Sequence, residues 1–249
     1  MSIELFSGFV GSGKSYAATK IGVQIADAPL GKGFVIANFP IKGKKTWFSK
    51  FRKKKVNKPR WIFKKNDELT VEFLIKTSLE KGWNKKEGSC LVIFDEASIP
   101  FNSRNWNKPD RMQWIELLSQ SRKFGYDFIF ITQDGKMLDK QIRALCEYEV
   151  QHKKMNNMFP FGLLSIFKVT VFAGVKFWNG LGMANKKGQL RLYLYSSRVA
   201  NRYDTLNLFN FEDKYQPPEP PQREGAGSAG GPTGLGGAGG EPIPELEQA

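Results

Sequence analysis

The sequence predicts an α/β fold in which a mainly parallel sheet carries helices on both faces. Three observations support this prediction. Short apolar runs typical of buried strands alternate with stretches of helical periodicity, a glycine-rich loop joins the first such run to the first helix, and a later apolar run ends in two adjacent carboxylates. The 249 residues are enough for one large domain or one domain with an appendage, and we expect one domain.

The predicted elements follow the order that this fold requires. Strands are predicted at residues 3–6, 34–37, 90–94, 128–132 and 148–152. Helices are predicted at residues 14–27, 67–81, 109–124 and 138–146. Two later apolar runs, 166–172 and 190–195, are joined by a connection rich in Gly, Asn and Lys, which predicts an antiparallel β extension within residues 160–200 at the edge of the sheet.

The loop after the first predicted strand has the pattern Gly-x-x-x-x-Gly-Lys-Ser of a phosphate-binding loop. Its backbone N–H groups would face phosphate oxygens, Lys14 would contact the β and γ phosphates, and Ser15 would bind Mg²⁺. The positive end of the helix that follows favours the same anion. A glycine-rich turn without nucleotide is the alternative, but the strand and helix on either side favour a nucleoside triphosphate. The loop residues are Gly8, Phe9, Val10, Gly11, Ser12, Gly13, Lys14 and Ser15.

A second motif is the apolar run 91–94 followed by Asp95 and Glu96. Open α/β sheets bind ligands at the carboxyl ends of their strands, so both carboxylates are predicted to face the loop. Asp95 would hold Mg²⁺, directly or through water, and Glu96 would orient and deprotonate the attacking water. Gln133 follows the strand 128–132, and its amide would face the γ-phosphate if that strand lies between the other two. Capping of the strand end is the alternative for Gln133.

Arg122 and Arg143 are candidates for an arginine that completes the site of a neighbouring subunit, because a guanidinium at the γ-phosphate neutralises developing charge. Solvated positions on a helix face are the alternative for both arginines. His152, the only histidine, is predicted to be structural. Cys90 and Cys146 fit no metal-ligand spacing and are expected in the core of a protein from a reducing compartment.

The chain is strongly basic, with a formal net charge of +14 and a pI near 9.7, which favours partners rich in phosphate. In residues 42–65, 12 of 24 residues are Lys or Arg, and Trp47, Phe51 and Trp61 lie among them. We interpret this segment as an insertion or extended loop. It suits single-stranded nucleic acid, whose bases stack on aromatic rings. An anionic membrane surface and a merely solvated basic loop are the alternatives.

Composition also distinguishes the two ends of the chain. The first strand leads directly into the loop, so we expect no signal peptide, and lysines and glycines within residues 158–183 favour strands over a membrane span. From about residue 216 the chain is rich in Pro and Gly. Residues 1–215 contain 37 Lys and Arg against 19 Asp and Glu, about +18. We predict a nucleotide-binding domain over 1–215 and a disordered acidic tail over 216–249.

These motifs together resemble the zonular occludens toxin family, over roughly residues 1–210. The resemblance rests on the loop 8–15, the strand 91–96, the run 121–127 that leads into Ile131-Thr132-Gln133, the run 138–143, and Tyr203-Asp204-Thr205. This family is similar to the assembly ATPases of filamentous phages, within the class of DNA-pumping motors that includes the FtsK and HerA types. The block from Arg122 to Gln133 discriminates this family better than the first two motifs do.

The resemblance implies a P-loop NTPase core of the ASCE, RecA-like type, hydrolysis of ATP with Mg²⁺, and a homo-oligomeric ring, with a hexamer among the candidate sizes. It further implies movement of phage DNA, expected to be single-stranded, with membrane-associated assembly proteins as partners. We expect the chain in the cytoplasm or peripherally at the inner face of the bacterial membrane. Family members typically continue into a membrane-spanning helix, so attachment here is expected through the basic segment, the tail or a partner.

Two other functions are compatible with the same motifs. One is an assembly or adaptor protein that ATP binding switches, with little hydrolysis. The other is a plasmid DNA transfer or packaging ATPase of the same superfamily. The presence of both Asp95 and Glu96 favours turnover, because a pure switch does not need the base.

Overall fold

The computed structural model describes residues 2–28, 33–42, 60–104, 109–155, 171–178 and 189–203 of the chain. Its strands are β1 (Ile3–Ser7), β2 (Phe34–Ala37), β3 (Trp61–Phe63), β4 (Cys90–Phe94), β5 (Tyr126–Ile131), β6 (Tyr148–Lys154), β7 (Val171–Trp178) and β8 (Gln189–Leu194). Its helices are α1 (Lys14–Ala26), α2 (Val71–Lys81), α3 (Arg111–Ser119), α4 (Lys140–Leu145) and α5 (Ser197–Ala200). Within these ranges the strands form one sheet in the order β3-β2-β4-β5-β1-β6-β7-β8.

The first six strands in this order, which end with β6, pair in parallel. Strands β7 and β8 extend the sheet as antiparallel strands. The predicted mainly parallel sheet with an antiparallel extension at its edge is therefore confirmed. Strand β5 lies between β1 and β4. Because parallel strands run in one direction, the segments that follow β1, β4 and β5 all begin at the same edge of the sheet.

Helices cover both faces of this sheet, as predicted. On one face, α1 buries Ala17 and Ala18 against side chains of the central strands, which include Leu91, Ile93, Ile129 and Ile131. On the other face, α2, α3 and α4 cover the alternate residues, which include Val92, Phe94, Phe128 and Phe130. Side chains alternate between the two faces along a strand, so a strand covered on both sides is a continuous apolar run.

All four predicted helices are shorter in the structure than in the sequence prediction, and α2 and α3 differ most. Helix α2 begins at Val71 because the Thr70 hydroxyl caps it by accepting a hydrogen bond from the Phe73 N–H at 3.2 Å. Helix α3 ends at Ser119, and the predicted continuation to residue 124 is a 3₁₀ turn, Ser121–Phe124. There the Ser121 hydroxyl donates to the Leu118 carbonyl at 2.7 Å, a local bond that competes with regular helix.

The interpretation of residues 42–65 as an insertion or loop is wrong at its end, because residues 61–63 form β3, parallel to β2. The Trp61 indole N–H donates to the Phe39 carbonyl at 3.1 Å, and its ring packs on the Phe39 ring. The Arg60 guanidinium donates to carbonyls at the carboxyl end of α1 and to that of Ala28, just beyond the helix, at 2.6 Å. Trp61 is therefore a packing residue of the sheet. Residues 43–59 lie outside the described part of the chain.

The antiparallel strand predicted at 166–172 is placed too early in the sequence prediction, because β7 occupies Val171–Trp178. Lys176, which in sequence interrupts the apolar stretch, forms an ion pair with Glu4 at 2.5 Å and lies 3.6 Å from the centroid of the Tyr148 ring. The charge of Lys176 in β7 is thus neutralised by Glu4 of β1. Residues 156–170 and 179–188 lie outside the described part. Among the described helices, none has the length and hydropathy to span a bilayer.

The two cysteines are buried, as predicted, and His152, which was predicted to be structural, is also buried. Burial raises the pKa of both thiols, that of Cys146 to about 12. The His152 ring lies between the rings of Phe6 and Tyr193, and burial lowers its pKa to about 4. His152 is therefore neutral at physiological pH and acts as a core residue of β6, the strand that pairs with β1.

Substitutions at two glycines with positive φ, Gly82 and Gly125, distinguish the cost of backbone strain from the cost of steric crowding. A Cβ at Gly125 would lie 2.3 Å from the Trp83 carbonyl oxygen and 2.7 Å from that of Lys86, whereas no described atom lies within 4 Å of a Cβ at Gly82. We expect Gly125→Ala to lower the free energy of unfolding by at least about 3 kcal/mol and Gly82→Ala by about 1–2 kcal/mol. Urea denaturation measures both losses. Equal losses would mean that the two carbonyls move aside without cost.

Candidate nucleotide-binding site

The glycine-rich loop leaves the carboxyl end of β1 and returns into α1. The Gly8 N–H donates to the Gln133 carbonyl at 3.1 Å, which joins the start of the loop to the end of β5. The Lys14 ammonium is held within the curve of the loop, where it donates to the carbonyls of Gly8 at 2.7 Å and Phe9 at 3.0 Å. Burial lowers the pKa of Lys14, while the charges of Glu96 and Asp95 raise it. The loop therefore presents a buried cation beside two carboxylates.

The second motif meets the loop directly at Asp95. The Ser15 hydroxyl donates to Asp95 Oδ1 at 3.1 Å, although the two residues are 80 positions apart in sequence. The other carboxylate oxygen, Asp95 Oδ2, accepts a hydrogen bond from the Tyr203 hydroxyl at 2.6 Å. The predicted proximity of the loop and the acidic strand end is present in the structure.

Glu96 is held in an unusual backbone conformation for a residue with a side chain, with φ at +50°. Such strain is found mainly at functional sites, where the surrounding structure over-determines it. The Gln133 amide donates to Glu96 Oε1 at 3.4 Å, so the side chain predicted at the end of β5 does reach this carboxylate. Burial and the neighbouring Asp95 raise the pKa of Glu96, while the bond from Gln133 and the charge of Lys14 lower it.

Asn38 is a site residue that the sequence analysis missed. It directly follows β2 and is 2% exposed. Its amide accepts a hydrogen bond from the Asp95 N–H at 2.7 Å and donates to the Asp95 carbonyl at 2.7 Å. The same amide donates to Asn66 Oδ1 at 2.8 Å. Asn38 thereby fixes the backbone that carries Asp95. A polar residue at the carboxyl end of an apolar run was the signal that could have identified it.

The two candidate arginines both bind partners outside the phosphate-binding loop. Arg122 lies in the turn before β5, at the opposite edge of the sheet, and forms an exposed ion pair with Glu87 at 3.6 Å. Arg143 lies in α4 and donates to the Gly135 carbonyl at 3.3 Å. A role for either arginine in the site of a neighbouring subunit stays a prediction.

The donors at the meeting point of the two motifs are those that magnesium prefers. The Ser15 hydroxyl and the Asp95 carboxylate are hard oxygen ligands, and Mg²⁺ is commonly bound by one or two protein oxygens together with substrate phosphates. The residues present therefore fit a Mg²⁺-bound triphosphate whose phosphates lie in the loop. Glu96 and Gln133 lie beside this position, where a reacting water would be.

Fold and site together define a P-loop NTPase, in which the loop is the Walker A motif, the end of β4 is the Walker B motif, and β5 lies between their strands. The chain belongs to the zonular occludens toxin (Zot) family, whose family model matches residues 2–199. The family resemblance that the sequence motifs indicated is confirmed.

Individual relatives are similar over different lengths. The Gene 1 protein of Enterobacteria phage I2-2 is 26% identical over 234 residues, which cover 88% of this chain and 60% of that protein. The Gene 1 protein of Enterobacteria phage M13 is 31% identical over 128 residues, 48% of this chain and 37% of that one. The crystal structure of the N-terminal domain of zonular occludens toxin from Neisseria meningitidis is 20% identical, covers 82% of this chain and 98% of its own, and superposes with a TM-score of 0.45. The chain spans 60% of the length of the phage I2-2 relative.

The clamp on Asp95 can be tested with two neighbouring asparagines. Asn38→Ala leaves the N–H and the carbonyl of the half-buried Asp95 without their Asn38 partner, so we expect the free energy of unfolding to fall by about 2–5 kcal/mol. Asn66→Ala removes one bond to Asn38 and leaves the Asp95 backbone paired, so the expected loss is about 1 kcal/mol or less. Denaturant titration of both variants makes the comparison. A loss for Asn38→Ala as small as that for Asn66→Ala would contradict the clamp.

Proposed function

We propose that the chain is a Mg²⁺-dependent ATPase that moves single-stranded phage DNA during the assembly of filamentous phage particles. It acts as a homo-oligomeric ring at the inner face of the host membrane, with membrane-associated assembly proteins as partners. Membership of the Zot family supports this role, as does the similarity to Gene 1 proteins of phages. The net charge of +14 supports a polyanionic partner.

One observation carries the enzymatic part of the proposal. Ser15 of the loop and Asp95 of the acidic strand end are joined by a 3.1 Å hydrogen bond, and Glu96 lies next to them in contact with Gln133. Phosphate binding, metal binding and a base thus converge at one edge of the sheet. A nucleotide switch without hydrolysis would need the first two features and not the third, so the placement of Glu96 favours turnover over the adaptor function.

Each side chain has a distinct task in this reaction. Lys14 and the loop N–H groups bind the β and γ phosphates, and Ser15 and Asp95 hold Mg²⁺, which neutralises phosphate charge when it is bound. Glu96 accepts the proton of the attacking water, and its raised pKa makes it a stronger base than an exposed carboxylate. The Gln133 amide orients Glu96 toward the γ-phosphate.

A further part of the proposal is that an arginine of one subunit of the ring acts in the site of its neighbour. Arg122 lies at the sheet edge opposite its own loop, so it can act at a γ-phosphate only in a neighbouring subunit. Arg143 lies in α4, close to the turn that follows β5. We assign an arginine from an adjacent subunit to the γ-phosphate, with Arg143 and Arg122 as the candidates.

Two substitutions separate binding from hydrolysis. Lys14→Ala removes the cation at the phosphates, so we expect loss of ATPγS binding and of turnover. Glu96→Gln keeps the shape of the site but removes the base, so kcat is expected to fall by about 100-fold or more while ATPγS binding is retained. Phosphate release measures turnover, and calorimetry measures binding in the presence of Mg²⁺.

The matched control is Glu116→Gln, which makes the same chemical change on the exposed side of α3 and is expected to leave both quantities unchanged. Turnover that persists in Lys14→Ala would remove the ATPase proposal. The same assay with added DNA tests the substrate: single-stranded DNA is expected to raise the turnover of the wild-type chain, and duplex DNA to raise it less. A rate that no DNA changes would contradict the DNA-moving function and leave the ATPase intact.

A further inference from the structure

The segment of residues 195–203, which follows β8, lies along α1 and is attached near both ends of that helix. At the amino end, the Tyr16 hydroxyl donates to the Leu194 carbonyl at 3.0 Å and accepts from the Ser196 N–H at 2.8 Å. Beyond the carboxyl end, Arg202 forms a partly buried ion pair with Asp27. These bonds hold the segment close to the loop that precedes α1.

The segment also reaches the carboxylate of the Walker B motif. The Tyr203 hydroxyl donates to Asp95 Oδ2 at 2.6 Å, and the Tyr203 ring packs edge-on against Phe39. Residues 195–203 therefore contact the helix after the loop, the strand end of Asp95 and the core beneath them. Such a position makes the segment part of the site.

A cavity of about 390 Å³ lies between this segment and the phosphate-binding loop. Its volume is within the range of sites for small organic ligands, about 300–1,000 Å³. One end is formed by loop residues, namely Gly11, Gly13, Lys14 and Ser15. Residues outside the loop complete the lining, among them Tyr16, Phe172, Tyr195 and Asn201. The cavity thus continues directly from the place where phosphates bind.

The chemistry of the lining residues outside the loop suits a nucleoside. The rings of Tyr16 and Tyr195 are stacked, with centroids 5.5 Å apart, and the Tyr195 side chain keeps 46% exposure, so its ring is accessible from the cavity. Phe172 packs so closely on Gly13 that a Cβ there would lie 2.5 Å from its ring, which places an apolar floor next to the loop. Asn201 adds an exposed amide that can both donate to and accept from the edge of a base.

We propose that this cavity is the nucleoside subsite of the bound triphosphate and that residues 195–203 form its outer wall. The base stacks on Tyr195, Phe172 lies beneath the ribose and base, and the Asn201 amide pairs with the edge of the base. This inference rests on the proposed function, because the phosphates of the same ligand must lie in the loop. It adds the part of the site that distinguishes a nucleotide from a bare polyphosphate.

The test compares two ligands that share phosphates and differ in the nucleoside. The affinities of the full chain for ATPγS and for inorganic triphosphate, each with Mg²⁺, are measured by calorimetry. The wild-type chain is expected to bind ATPγS at least about tenfold more tightly than triphosphate, since stacking on an aromatic ring is worth about that much or more. Tyr195→Ala is expected to weaken ATPγS binding by about 5- to 100-fold and to change triphosphate binding by less than about twofold.

Three further variants extend the test, two of them as controls. Tyr195→Phe keeps the ring and should retain the affinity for ATPγS, whereas Asn201→Ala should weaken it by about 3- to 10-fold, the effect of one hydrogen bond. Leu192→Ala, an exposed position of β8 that does not line the cavity, should change neither affinity. Because Tyr195 and Asn201 are accessible at the surface, these substitutions are expected to leave the fold intact.

The outcomes separate this inference from the function on which it rests. If Tyr195→Ala weakens both ligands equally, or neither, the nucleoside subsite is overturned while the phosphate site stands. Equal affinity of the wild-type chain for ATPγS and triphosphate overturns it in the same way. If the wild-type chain binds neither ligand, the nucleotide site itself fails, and the subsite falls with it.

Discussion

The site depends on one topological constraint, the insertion of β5 between β1 and β4. Neighbouring strands lie about 4.8 Å apart, so this insertion separates the Walker A and Walker B strands by about 10 Å. The start of the loop and the carboxylates therefore lie on either side of the end of β5, while Ser15, at the end of the loop, reaches Asp95 directly. Gln133, at the end of the inserted strand, bridges the two sides: its carbonyl accepts from the Gly8 N–H and its amide donates to Glu96.

Asp95 is positioned by residues that are distant from it in the sequence. Asn38, after β2, binds the backbone of Asp95, and Tyr203, near the end of the described chain, binds its side chain. Glu96, the next residue, has a positive φ, a conformation that residues with a side chain adopt mainly where the surrounding structure imposes it. The precision of the site thus comes from long-range contacts, whereas its chemistry comes from two short motifs.

This division explains what the sequence could predict. The strands at 34–37 and 90–94 have the predicted boundaries, because a strand that helices cover on both faces is a continuous apolar run. Glycine or polar residues lie directly before and after each of these two runs. The loop residues and the Asp95-Glu96 pair could be named because their spacing encodes a local geometry. Strand β3 was missed since its three residues lie in a lysine-rich stretch and are stabilised by partners such as Phe39, more than 20 residues away. The contacts of Asn38 and Tyr203 with Asp95 could not be predicted from sequence, because they form only when distant elements meet.

The most direct test of the central claim is to locate the metal. Crystals of the wild-type chain grown with ATPγS and Mn²⁺ would give the ion position from its anomalous scattering. We predict one ion bound by the Ser15 hydroxyl and the Asp95 carboxylate, within about 2.5 Å of their oxygens or one water away, and next to the β and γ phosphates in the loop. An ion that contacts neither residue, or phosphates that lie outside the loop of residues 8–15, would contradict the account.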